Sequence, residues 1–148
     1  MKKLFAIFVL LSVLFCIAGC QSTKSPPTKS DLAVRYGIEE SKIDDYHQKY
    51  PKIMGLPSKE DEFAEDRVII GVYQFAYQYD FTPEDFSEIP CKSVNPLIGP
   101  YEGSENPSRF LVLELKTRSK EQLIKAIEIL QQRADIYCAE VDYIVHVS

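Results

Sequence analysis

The sequence predicts an α+β sandwich, a four-stranded antiparallel sheet with two helices on one face, preceded by an N-terminal helical or irregular extension. Three observations predict it. Two runs rich in β-branched and aliphatic residues, RVIIGVYQF from Arg67 and FLVLELK from Phe110 to Lys116, read as strands. Each is followed by a helix-start signal, and each such signal is followed by another strand-like run.

The elements follow in order. The first strand begins at Arg67. Thr82-Pro83-Glu84-Asp85 starts a short helix through about Glu88. Threonine caps, proline at the first helical position forfeits no needed hydrogen bond, and acids suit the positive end of the dipole. Phe86 and Ile89 point inward and Pro90 stops the helix. CKSVNPL is a weak second strand, and LIGPYEGSENPS is a loop rich in Gly, Pro and Ser. The third strand, FLVLELK, is the clearest in the chain. Ser119-Lys120-Glu121-Gln122 reads as a capping box. The helix behind it sets Leu123, Ile127 and Leu130 on one face, flanked by Ile124 and Ala126. Lys120, Glu121, Lys125 and Glu128 face water. Ala134-Asp135 ends it, and IYCAEVDYIVHV is the last strand.

The resulting order, β-α-β-β-α-β, is the split-βαβ, ferredoxin-like arrangement. Right-handed crossovers put the first and third strands in the middle and the second and fourth at opposite edges. Cys91 and Cys138 lie beside those two edges. Three strand spacings separate the edges by roughly 14 Å, whereas a disulfide needs Cα atoms within about 7 Å. Two buried thiols are therefore the preferred reading over one disulfide.

Upstream, residues 31–62 form an extension in which Ile43, Tyr46 and Tyr50 recur at helical spacing, so a short helix ends at Pro51. Residues 20–30 contain QSTKSPPTKS, too polar and Pro-rich to build a core, and read as a flexible tether. Residues 63–148 make the α+β domain.

The first 19 residues are read as a secretion signal. Lys2 and Lys3 precede an apolar run from Leu4 to Ile17, shorter than the roughly 20 residues that span a bilayer. The run ends in Ile17-Ala18-Gly19-Cys20, which resembles the bacterial lipobox at every position. That resemblance implies cleavage before Cys20 and a diacylglyceryl cysteine, with palmitate-type acylation, holding the protein to the extracytoplasmic face of a membrane. In a two-membrane cell the outer membrane is expected, since Gln21 is not the aspartate that favours inner-membrane retention.

Charge and motifs exclude several function classes. The formal charge of −5 becomes about −7 once Lys2 and Lys3 are cleaved. Nucleic-acid binding needs clustered Lys and Arg, and so does a polybasic membrane patch. Neither histidine, His47 or His146, has a second ligand at metal spacing. The acidic runs Asp44-Asp45 and Glu60-Asp61-Glu62 lack the alternation and central glycine of a calcium loop. There is no G-x-S-x-G elbow, phosphate-binding glycine loop or H-E-x-x-H. No enzyme activity, metal or cofactor is expected.

The sheet offers the functional lead. Val68, Ile70 and Val72, with Leu111, Leu113 and Leu115, are the aliphatic sets that should face the helices. Ile69, Tyr73, Phe110 and Val112 then form an apolar patch on the open face. Such a patch marks a partner surface, unless residues 31–65 or the loop over 97–108 cover it.

RFLVLELKTRSKEQLIKAIEILQQRADIYCAEVDYI resembles the second half of a subtilisin-type propeptide, and more closely a fervidolysin-like prodomain module. Ala139-Glu140 and Asp142-Tyr143 are the matching pairs in its last strand. FAEDRVIIGV and YDFTPEDFSEIPCKSV are similar to its first half, so the resemblance spans about residues 63–147. Val141 departs from it, standing where proline is usual, and leaves the edge strand freer to pair. No protease domain follows within the sequence. The resemblance implies that the open face, at Ile69, Tyr73, Phe110 and Val112, docks on a protein. It also implies that a tail of Val145, His146, Val147 and Ser148 lies extended in a protease cleft. The expected function is therefore a lipid-anchored, non-enzymatic module that binds a protein partner. The narrower alternative is an inhibitor or folding chaperone of a subtilisin-like protease acting in trans.

Overall fold

The computed structural model describes residues 24–58, 60–98 and 109–144. Four strands, β1 (Phe63–Val72), β2 (Cys91–Ile98), β3 (Arg109–Leu115) and β4 (Ile136–Tyr143), form one sheet in the order β2-β3-β1-β4. Every neighbouring pair is antiparallel, with β1 and β3 central and β2 and β4 at the edges. This is the α+β, ferredoxin-like arrangement expected from the sequence. Cys91 and Cys138 sit on the two edge strands as buried free thiols, and burial pushes each up to about 11.

Alternation decides which face is covered. Val68, Ile70 and Val72 on β1 and Leu111, Leu113 and Leu115 on β3 are all buried. They meet Leu123, Ile127 and Leu130 of helix α3 (Lys120–Leu130), in the register Ile70↔Leu111 and Val68↔Leu113. Burying each such side chain stabilises the fold by about 1.5–3 kcal/mol. The Ser119 hydroxyl accepts from Gln122 N–H, but the expected capping box is only half made. The Gln122 side chain instead accepts from the Thr117 hydroxyl.

The first crossover differs from expectation. A capping box forms at Thr82, whose N–H donates to Asp85 Oδ2 at 2.9 Å. Yet only a 3-10 turn, Pro83–Phe86, forms where a second helix was expected. Arg133 Nη1 takes the Asp85 carbonyl at 2.6 Å, the acceptor that a continuing α-helix would offer to Ile89. Ile89 N–H bonds to Phe86 O instead, the 3-10 spacing. Phe86 and Ile89 still point into the core.

Two further helices, α1 (Lys29–Tyr36) and α2 (Glu40–Lys49), precede the sheet. Lys29 and Ser30, expected in the tether, belong to α1, which was not anticipated. A capping box starts α1: Thr28 N–H donates to Asp31 Oδ2 at 2.9 Å, and Asp31 N–H to Thr28 Oγ1 at 3.2 Å. Gly37, at φ 65°, adopts the left-handed conformation that ends the helix. Leu32, Ile43 and Ala134 pack together, so the hairpin seats on the turn between α3 and β4. It caps one end of the sandwich and does not lie across the open face of the sheet. Among the described residues, no helix is long and apolar enough to cross a membrane.

Candidate docking site

Of the four residues expected on the open face, the structure brings three together. Ile69 pairs with Val112 across β1 and β3, and Phe110 stands opposite Gly71, all three half-buried. A methyl group on Gly71 would lie 2.9 Å from Cys138 Sγ and 3.1 Å from the Phe110 ring, because both side chains lean over that glycine. The bare glycine leaves room for the Phe110 ring and Cys138 Sγ at this point of the sheet. Ion pairs frame the patch: Arg67 to Asp142 at 3.1 Å, and Lys92 to Glu114 at 3.3 Å. Among the described residues, the arrangement is an apolar strip with a charged rim.

Tyr73 is the correction. β1 ends at Val72, although Tyr73 is still extended and donates its N–H to Asp135 O at 3.1 Å, beside the start of β4. The side chain is fully buried at the capped end. It stacks on Phe75, meets His47 and Tyr137, and donates its hydroxyl to Tyr50 O at 2.9 Å. Burial raises its phenol to about 12. Tyr73 is therefore part of how the N-terminal hairpin is held. Cys20, Val145, His146, Val147 and Ser148 lie outside the described residues.

The same end of the molecule holds a polar cluster that the sequence reading missed. Arg133 and Asp135 are both fully buried. The guanidinium grips Asp135 through two bonds, at 3.0 and 2.8 Å, and Glu88 Oε1 at 2.5 Å, while its face lies over the Phe86 ring. Tyr36 donates its hydroxyl to Asp135 Oδ2 at 2.6 Å, so α1 is tied to the turn before β4. Burial pushes the Asp135 carboxyl upward, but the Arg133 guanidinium and Tyr36 hydroxyl outweigh it and hold the group below its ordinary range. Burial likewise opposes the Arg133 charge, yet Asp135 and Glu88 keep it firmly protonated. Lys52 Nζ donates to the carbonyls of Gln131 and Arg133 at the end of α3, and burial lowers it to about 8. His47 Nε2 contacts Ala134 O at 2.7 Å. Every one of these groups faces a protein partner, and the cluster reads as a latch between hairpin and domain. The one signal available in the sequence was the QQRAD segment, a cation and an acid two residues apart in front of a strand.

Among the described residues, no three His, Cys, Asp or Glu side chains are grouped so as to hold a metal ion. No family model, curated protein or solved structure matches the chain.

Proposed function

We propose that this chain is a lipid-anchored, non-enzymatic lipoprotein of the bacterial envelope whose α+β domain docks a protein partner on its open sheet face. The observation that carries the reading is the half-exposed strip of Ile69, Phe110 and Val112, framed by ion pairs and crossed by no described helix. An apolar centre with a charged rim is how protein interfaces are built. The lipobox-like Ile17-Ala18-Gly19-Cys20 supports membrane attachment on the extracytoplasmic side. The protein's acidity speaks against nucleic acid as the partner.

A photoreactive amino acid at Val112 tests the docking surface in cells that produce the full chain. A discrete protein adduct from position 112, missing when the probe is moved to Glu121 on α3, supports the reading. Equal adduct patterns, or none from position 112, refute it. For the anchor, incorporation of an alkyne-tagged palmitate should be lost in Cys20→Ala, together with membrane retention.

The narrower reading, a trans-acting inhibitor or folding chaperone of a subtilisin-like protease, is favoured by the β2-β3-β1-β4 sheet with one open face. That is the geometry which the propeptide resemblance implies. Titrating a subtilisin with the purified full chain decides it. No inhibition at micromolar concentration, about −8 kcal/mol of binding, removes it. Equal potency after deletion of Val145 to Ser148 would place inhibition on the sheet face and not on the tail.

A further inference from the structure

The outer edge of β4 borders a groove beside the open face. Residues of β4 alternate in the direction of their peptide groups. The carbonyl of Tyr137 turns away from β1 and accepts from Ile53 N–H at 3.0 Å. The carbonyl of Ala139 also turns outward, accepting from Gln131 Nε2 at 3.1 Å. Ile144 N–H, by contrast, turns back to Glu62 O at 3.2 Å. The alternation therefore points the peptide groups of Val141 and Tyr143 outward as well.

The chain starts to pair with this edge and then abandons it. Ile53 makes one parallel bridge, to Cys138. The segment then diverges through Gly55, Leu56 and Pro57, held off β4 by the Gln131 amide, which also donates to Gly55 O at 2.7 Å. Pro57 has no N–H with which to continue a ladder. What remains between Leu56–Pro57 and β4 is a groove of about 160 Å³, and Ile53, Leu56 and Tyr143, each half-exposed, line it.

We infer that this groove and the outward edge at Val141 and Tyr143 bind an extended peptide segment of a partner, apolar at one position and basic beside Glu140. The charge of the edge selects the occupant. Glu140 is exposed and lines the groove, and Asp142, which is paired to Arg67 at 3.1 Å, stands on the same face of β4. A second copy of this strand, paired antiparallel about Val141, would set Glu140 opposite Asp142 of its mate. Paired about either acid, it would set like against like. Like charges directly opposite destabilise a strand pair, whereas a Lys or Arg there stabilises it. Main-chain bonds then supply affinity, and the groove and Glu140 supply specificity.

The test is fluorescence anisotropy with the full chain and labelled heptapeptides that alternate valine with lysine or valine with glutamate. The lysine peptide should bind at least ten-fold more tightly, and Glu140→Lys should abolish or reverse that preference. Val141→Pro removes an outward N–H that β1 does not use, and should cost the lysine peptide at least ten-fold while the thermal melt stays cooperative. Should that variant fail to fold, Glu140→Lys alone decides. Val112→Lys, on the open face, should leave peptide binding unchanged, which separates this site from the one above. Equal affinity for the two peptides, or no binding of the lysine peptide at about 1 mM, overturns the inference. So does a concentration-dependent dimer in sedimentation that Glu140→Lys fails to perturb.

Discussion

The two ends of polar chemistry in this molecule contrast sharply. At the capped end, Arg133, Asp135, Glu88 and Tyr36 are out of water and matched bond for bond. On the open face and along β4, Ile69, Val112, Tyr143 and Glu140 remain in contact with solvent. A buried ion cluster is a poor source of net stability compared with apolar packing, but it tolerates only one arrangement of its parts. The latch thus sets where the N-terminal hairpin sits. The exposed strip sets nothing within the fold, and substitutions there should report on partners and not on folding.

The comparison breaks most visibly at Arg133. Arg133→Ala leaves Asp135 and Glu88 buried without their cation and should cost about 3–5 kcal/mol, read as a lower urea midpoint. Acid should open the same end. The folded-state carboxyl of Asp135 lies below the ordinary 3.8, so as pH falls the unfolded chain takes up this proton first. The stabilisation is complete above about pH 5 and drains away as pH drops below about 4. Urea midpoints at pH 3 and pH 6 should therefore differ less in Asp135→Asn than in the native chain.

Smaller effects sharpen the contrast. Tyr36→Phe removes one hydrogen bond to a buried carboxylate and should cost about 1.5–3 kcal/mol. Hydrogen exchange should rise in α1 and α2 before it rises in β1 or β3, since the hairpin is what this bond holds. Gly71→Ala forces a methyl against Cys138 and Phe110 and should cost about 1–3 kcal/mol by overpacking, seen as a lower Tm. Val112→Lys should shift stability least, by less than about 1 kcal/mol, while eliminating cross-linking to the partner. A large loss of stability at Val112 together with a small one at Arg133 would reverse the assignment of the two regions.

The legibility of each region follows from the range of the forces involved. Val68, Ile70 and Val72 announce their buried face by period-two alternation alone, and Ser119 and Thr82 announce helix starts by local capping. The helix expected after Thr82 shrank to a 3-10 turn because a residue 48 positions away, Arg133, claims the Asp85 carbonyl. Tyr73 reads as the next open-face residue of β1, yet the hairpin buries it, through Tyr50 O and the His47 ring. Helix α1 buries only Leu32 and Ala33, too little apolar surface to show a period, and rests on its two caps.

Sequence alone thus settled the fold class, the strand order and the covered face, because alternation, capping and right-handed crossover act over a few residues or follow from chirality. Tertiary structure alone decided the seat of the hairpin, the fate of Tyr73 and the unfinished ladder beside β4. Each of those depends on hydrogen-bond partners dozens of positions apart, whose meeting no local pattern encodes.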